Sequence, residues 1–197
     1  SKHGPKMPIF KAGHKLLYFA HVPKCAGTSI ERFLQQNFGK PAFLDRGFGK
    51  IQNQDRWSRT SPQHIDASTL SRLFPPGFFD LCFAVVRHPE DRLRSAFLFQ
   101  RDIEERIPQD STFSVWLQKL HQQRLIDPFC FDNHPRPMVD LVPQDAQVFR
   151  LENGLTAVTD WLCEAFPDLS FDGQIGRENS LKGRLEKAGK TYTPAAL

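Results

Sequence analysis

The sequence predicts an α/β domain with a mostly parallel central sheet flanked by helices, and three observations carry that prediction. Residues 16–22 and 81–86 are short, nearly continuous apolar runs, the composition of strands buried on both faces of a parallel sheet. Each run is followed by a segment with helical spacing of its apolar residues. Strands that alternate with helices build parallel sheets, because a parallel pair needs a crossover between its strands. With 197 residues, 40% of them hydrophobic, the chain suffices for one well-buried core, and residues 1–197 are read as one domain.

After the first run, Ile30, Phe33, Leu34 and Phe38 fall at i, i+3, i+4 and i+8 and put an apolar stripe on a helix that Gly39 ends. Between run and helix stands His21-Val22-Pro23-Lys24-Cys25-Ala26-Gly27-Thr28-Ser29. A strand-to-helix turn presents free backbone N–H groups and the positive end of a helix dipole, which suits an anion. Lys24, Thr28 and Ser29 add an ammonium and two hydroxyls. Thr28 and Glu31 also have capping-box spacing, so the Thr28 hydroxyl has two readings, ligand contact or helix cap.

Residues 41–76 are rich in Gly, Asn, Gln, Asp, Ser and Pro and read as long loops with one short helix over 67–73. Arg46, Arg56, Arg59 and His64 lie in them, and loops this long inside a compact domain are usually functional. The second strand, 81–86, meets Arg87-His88-Pro89, and Pro89 suits the first turn of a helix predicted to run to residue 105. Leu93, Ala96 and Phe97 turn to the core, while His88, Arg92 and Ser95, at i, i+4 and i+7, can share the other face. A further helix is predicted over 112–124, with Phe113, Trp116, Leu117 and Leu120 on its stripe. A Pro-punctuated loop over 129–143, a strand over 146–151, a helix over 155–166 and a charged tail from Arg177 complete the chain.

Lys and Arg number 26 against 22 Asp and Glu, a net charge of +4, with a pI near 9.0. That mild excess suits an anionic ligand, but it is spread along the chain rather than blocked into an arm, so no nucleic-acid partner is expected. Cys25, Cys82, Cys130 and Cys163 form no C-x-x-C pair, which argues against a zinc module or redox motif and leaves them as small apolar side chains. The 18 phenylalanines are read as core. No apolar stretch approaches the ~20 residues of a membrane span. Nor is there an N-x-[ST] acceptor or a signal-peptide pattern. A reducing, cytoplasmic setting is the expectation, with a trimmed N-terminal anchor as the alternative.

Both strand-to-helix junctions bring basic and hydroxyl groups to the carboxyl edge of the sheet, where open α/β folds bind ligands. The first offers Lys24, Gly27, Thr28 and Ser29; the second offers Arg87 and, two turns into its helix, Ser95. Two separated anion sites on one edge suggest a ligand with phosphate-like groups at both ends. A Walker sequence would read G-x-x-x-x-G-K-[ST], whereas here Lys24 precedes Gly27 by three positions. No strand-terminal Asp stands ready for Mg²⁺, so the turn is P-loop-like without the Walker order.

Together, Pro23-Lys24-Cys25-Ala26-Gly27-Thr28-Ser29 and Arg87-His88-Pro89-Glu90-Asp91-Arg92-Leu93-Arg94-Ser95 resemble the paired nucleotide motifs of sulfotransferases that use 3′-phosphoadenosine 5′-phosphosulfate (PAPS). Within them the chain looks most like the carbohydrate-type branch that includes heparan sulfate 2-O-sulfotransferase and its bacterial relatives. Ser61-Pro62-Gln63-His64 resembles that branch's histidine segment, and Asp132-Asn133-His134-Pro135-Arg136-Pro137 its H-x-R-P segment, with Met138 where the branch has Gln. The resemblance spans residues 15–180. It implies a P-loop-like three-layer fold and in-line transfer of the PAPS sulfuryl group to an acceptor hydroxyl, of a saccharide or glycoconjugate, with no metal.

By the same resemblance, Pro23, Lys24, Cys25, Ala26, Gly27, Thr28 and Ser29 would hold the 5′-phosphosulfate, and Arg87 and Ser95 the 3′-phosphate. Lys24 would assist the leaving group, because negative charge grows on the oxygen that the sulfuryl group departs. His64 would take the acceptor's proton, with Glu31, Asp66 and His134 as substitutes. His134 and Arg136 would contact an anionic or polyhydroxyl acceptor or else fix their loop. His21 and His88, beside the two turns, are read as structural hydrogen-bonding residues. Asn179, Ser180, Lys182 and Arg184 would close over the nucleotide, and similar proteins commonly continue into one more helix than this chain, which stops at Leu197. Two other readings stay open: a P-loop-like nucleotide or small-molecule kinase, and a non-catalytic anion-binding module.

Overall fold

The two apolar runs form the middle of a four-stranded sheet in a computed structural model that describes residues 6–43, 45, 47–176 and 189. The strands are β1 (Ile9–Ala12), β2 (Lys15–Ala20), β3 (Leu81–Val86) and β4 (Gln147–Arg150), adjacent in that order. β2 and β3 are parallel, with Leu17 opposite Leu81 and Ala20 opposite Ala84; β4 continues in parallel, with Val86 opposite Arg150. β1 is antiparallel to β2 through a tight turn at Gly13, whose φ of +61° suits glycine. The sequence reading did not include this edge strand, since four residues are too few to display a period.

Burial follows the apolar pattern. Leu17, Tyr18, Phe19 and Ala20 in β2 and Phe83, Ala84 and Val85 in β3 are nearly inaccessible. Helix α1 (Gly27–Phe38) adds Ile30, Phe33 and Leu34 to the same core, and Gly39 follows it as expected. Helix α2 (Ala67–Leu73) matches its predicted span and buries Leu70. Helix α3 (Pro89–Asp102) turns Phe97 and Leu98 toward Phe113, Trp116 and Leu120 of α4 (Phe113–Ile126), which makes a second, smaller core. Helix α5 (Met138–Leu141) is a single turn, and α6 (Thr156–Ala165) returns to the main core with Val158 and Leu162.

Beyond shifts of one or two residues at the ends of β2, β4, α4 and α6, two segments differ from expectation. α3 stops at Asp102 rather than 105, because the N–H groups of Ile103 and Glu104 both close on the Phe99 carbonyl and Glu105 then turns left-handed at φ 55°. Residues 129–143 hold more than a loop. A 3₁₀ turn at Cys130–Asn133 and α5 lie among the prolines, and Leu141 anchors α5 in the core. The tail from Arg177, with Asn179, Ser180, Lys182 and Arg184, lies outside the described residues, as does Arg46.

Candidate functional site

Because β2 and β3 are parallel neighbours, the turn that leaves β2 and the entry to α3 stand side by side at the carboxyl edge of the sheet. In the first turn Lys24 (φ 68°) and Ala26 (φ 64°) are left-handed, which costs an L-residue roughly 1–2 kcal/mol. Turns of this kind aim successive N–H groups into one concavity. Ala26 is the N-cap of α1, without a side-chain cap and with no acidic residue in the first helical turn. α2 and α4, by contrast, are capped by Asp66 and Thr112. The Thr28–Glu31 capping box does not form: Thr28 is exposed one residue into the helix, and Glu31 bonds His21. A cap-free helix start behind a lysine fits an anionic sulfate or phosphate group.

Gly27 is required by packing, since a Cβ there would fall on the His21 imidazole. Cys25 is buried, its thiol donates to the Pro23 carbonyl at 3.7 Å, and burial pushes its pKa up to about 11, so this residue offers the turn its backbone rather than a thiolate. Beneath lies the Arg92 guanidinium, 2% exposed, with Nε donating to the Pro23 carbonyl at 3.0 Å and Nη1 to the Arg136 carbonyl at 2.7 Å. Nη2 is buried without a hydrogen-bond partner, and burial lowers the pKa of the group. At the second junction Arg87 and Ser95 are both half-buried. The His88 backbone N–H donates to Glu152 at the end of β4 at 2.6 Å, and that bond chiefly holds the Glu152 carboxyl below its ordinary range. The His88 ring itself is exposed, away from the buried Arg92 with which it was expected to share a face.

His64 ends a 3₁₀ turn (Pro62–His64) and is buried. Its Nδ1 lies 2.7 Å from Asp132 Oδ2, which also accepts the Ser61 hydroxyl at 2.6 Å, while the Ser61 backbone N–H donates to Oδ1 at 2.6 Å. Asn133 Nδ2 donates to the His64 carbonyl at 2.8 Å. Burial alone would raise the Asp132 carboxyl, but the electrostatic attraction of His64 and the hydrogen bonds from His64 and Ser61 outweigh it and hold the group well below the carboxylate range. Phe131, Asp132 and Asn133 have φ of 52°, 55° and 61°, three left-handed residues in succession.

The His64 ring meets the rings of His21 and His134 edge-on, at centroid distances of 4.9 and 5.0 Å. His21 Nδ1 is 2.6 Å from Glu31 Oε1; burial would raise this carboxyl, and the His21 charge reverses the direction. His134 Nδ1 meets the Gln100 amide at 2.8 Å, and burial above all, with His64 and the Lys24 ammonium nearby, pushes its pKa far down, so the ring is neutral. Phe99 meets the His134 ring edge-on at 5.0 Å, and Lys24 Nζ sits 4.1 Å over the Phe99 ring. The structure thus joins Lys24, Phe99, His134 and His64 in one contiguous run. Arg136 lies 3.3 Å from Asp140 and 3.6 Å from Asp66, with its guanidinium over Phe129. As Asp66 caps α2 and Glu31 pairs with His21, neither is placed to replace His64.

His64, Asp132 and His134 have donor atoms within 4.8 Å of one another, close enough to raise the question of a metal. Two ligands on one tetrahedral zinc, with bonds of ~2.0–2.1 Å, stand ~3.3 Å apart. The 2.7 Å between His64 and Asp132 is instead a hydrogen bond. As placed, His64 and Asp132 form a hydrogen-bonded pair rather than two ligands of one ion. Sequence reading missed both carboxylate–histidine pairings. Asp132 was inside a quoted segment, but a partner 68 residues away leaves no spacing signal.

These features define an open α/β protein with basic and hydroxyl side chains and a histidine cluster at the carboxyl edge of a mostly parallel sheet. Residues 7–152 match the Sulfotransferase family, and the chain belongs to that family, whose chemistry is sulfuryl transfer and which generally uses PAPS. No curated protein and no solved structure gave a significant match. The matched residues include both junctions, His64, Asp132, His134 and Arg136. Among the described residues no helix is long and apolar enough to cross a membrane.

Proposed function

We propose that this sulfotransferase transfers the sulfuryl group of PAPS to an acceptor hydroxyl, of a saccharide or glycoconjugate, with His64 as base and Lys24 at the leaving group. The observation that carries the reading is the contiguity of the cap-free turn at Lys24 with buried His64, through Phe99 and His134. PAPS supplies the activated sulfuryl group when bound. The Lys24 ammonium and the backbone N–H groups of Ala26, Gly27 and Thr28 would face the 5′ end, where charge grows as the sulfur–oxygen bond breaks. Arg87 and Ser95, at the second junction of the same sheet edge, would hold the 3′-phosphate. His64 accepts the hydroxyl's proton, a role worth ~10²–10⁴-fold in rate. Protein donors meet the charge at each step, and the proposal includes no metal.

The saccharide acceptor rests on the likeness of the segments around His64 and His134 to the carbohydrate branch. A reducing, cytoplasmic setting belongs to the same proposal and is supported by four cysteines that are all unpaired. Family membership leaves the kinase reading without support.

Incubation with ³⁵S-labelled PAPS and a panel of glycans, lipids and phenols tests the proposal. The parent is expected to label a glycan, and His64→Ala and Lys24→Ala to lose ~10²-fold or more of that rate. His64→Ala should still be stabilised by adenosine 3′,5′-bisphosphate. Bisphosphate binding without label on any acceptor would establish the non-catalytic module instead, and stabilisation by ATP with Mg²⁺ alone would overturn the nucleotide assignment.

A further inference from the structure

We infer that Asp132 is a positioning residue for His64: it holds the neutral imidazole with its proton on Nδ1, so that Nε2 faces the acceptor as a free base. The inference rests on the reading of His64 as the base and adds what makes that histidine competent.

Geometry carries it. The 2.7 Å contact joins Nδ1 to the carboxylate oxygen, and an ionised carboxylate only accepts, so Nδ1 carries the proton. In a neutral ring Nε2 then has the lone pair. Gln63 Nε2, 3.5 Å from His64 Nε2, is a long contact that an incoming hydroxyl can replace. Asp132 is itself fixed by the backbone N–H and hydroxyl of Ser61, and Asn133 grips the His64 carbonyl, so both partners are held across 68 residues of chain.

The backbone gives an independent argument. Three successive left-handed residues without a glycine persist only where the surroundings over-determine them, and Asp132 is the middle one. Asp and Asn tolerate that conformation better than other residues, which is one reason an aspartate can occupy the position. Among the described residues no other carboxylate is hydrogen-bonded to His64. Facing its ring are Asp132 and His134 from the 130–134 segment, His21 after β2, Glu31 of α1 and, past His134, Lys24; Glu31 is bonded to His21.

The step balances. The acceptor O–H bond breaks, the proton bonds Nε2, and the electron pair left on oxygen forms the new bond to sulfur. The pair of the broken sulfur–oxygen bond leaves on the phosphate oxygen of the donor. Asp132 stays ionised throughout and stabilises the imidazolium that forms.

Asp132→Asn separates positioning from loop stapling, because Asn keeps the size and the left-handed backbone but turns an NH₂ donor toward Nδ1. With ¹⁵N-labelled histidine, and His64 assigned by comparison with His64→Gln, the neutral ring of the parent should show Nδ1–H and that of Asp132→Asn should show Nε2–H. Transfer from ³⁵S-PAPS to the glycan panel should fall ~10²-fold or more while adenosine 3′,5′-bisphosphate binds as in the parent, and His64→Ala/Asp132→Asn should be no slower than His64→Ala. Nε2–H in the parent itself would overturn the inference without any variant, as would Nδ1–H retained in Asp132→Asn or losses that add in the double variant. If His64→Ala stays active, the base reading fails; if His64→Ala is inactive and Asp132→Asn fully active, only the role of Asp132 fails.

Discussion

Alanine at position 27 would put a methyl group where the His21 imidazole now lies, and the cost follows from what holds that ring. Its Nδ1 is 2.6 Å from Glu31, it stacks on Phe19 at 5.7 Å, and it meets His64 edge-on at 4.9 Å. One response is for the ring to leave, which strands a buried carboxylate at a cost of about 3–5 kcal/mol. The other is for the start of α1 to move, with overpacking strain of about 1–3 kcal/mol and re-aimed N–H groups in the turn. The smaller outcome rules, so Gly27→Ala should lose ~1–3 kcal/mol; at ~2–4 °C per kcal/mol for a chain of this size, Tm falls by ~2–12 °C. Calorimetry with and without adenosine 3′,5′-bisphosphate is the assay. At a hundredfold excess over Kd the ligand should stabilise the parent by ~2.7 kcal/mol and the variant far less, because either response disturbs the turn. A Tm within ~2 °C of the parent and an equal ligand shift would refute the claim that this turn admits only glycine.

Two further outcomes follow from the carboxylates. Asp66→Ala removes the α2 cap and the carboxylate beside Arg136, so urea unfolding should show a loss of at least ~1 kcal/mol, with Asp66→Asn between it and the parent because amide oxygen still caps. Equal stabilities for the Asn and Ala variants would remove the cap from the account. Glu31, held below its ordinary 4.5 by His21 against the opposing effect of burial, favours the folded state when ionised. That contribution is fully present above pH 4.5 and is lost as pH falls through the lower folded value. Thermal midpoints taken from neutral to acid should therefore decline more steeply in the parent than in Glu31→Gln, and parallel curves would show that the pair with His21 contributes nothing to acid sensitivity.

What was legible in the sequence was local. The apolar runs of β2 and β3, the stripe Ile30-Phe33-Leu34-Phe38 and the stop at Gly39 each depend on neighbours within a few residues, and each appears where expected. Thr112, the predicted first residue of α4, is its N-cap instead, and the helix begins one residue later at Phe113, a difference of the size that capping decides. The candidate site was legible as a set of parts. Lys24 and Arg87 announce an edge by their position after strands, but the distance between His64 and Asp132, or between His21 and Glu31, is set by tertiary packing alone. The Thr28–Glu31 spacing failed for the same reason: His21, outside the helix, took the glutamate that a local rule assigned to the cap. The left-handed run at Phe131–Asn133 was hidden because it contains no glycine to advertise it.

Arg92 shows how these parts are kept in register. It lies three residues before Ser95 on α3 and reaches inward to the carbonyl of Pro23 in one turn and that of Arg136 in the loop that carries Asp132 and His134. A planar guanidinium can donate in two directions at once, which a single ammonium at the same place cannot do with comparable geometry. Arg87, just before α3, and Ser95 stand half-buried while Arg92 is 2% exposed, so the first half of α3 ties the turn of Lys24 to the loop that carries Asp132 and His134. Burying that charge without a carboxylate is costly, and with Nη2 unpartnered the expense is not recovered in hydrogen bonds. Simple stability therefore does not explain the residue. Under the proposed transfer a fixed relation between Lys24 and His64 does, because in-line transfer requires the two to hold their places together, and Arg92 bonds both the turn of Lys24 and the loop whose Asp132 holds His64.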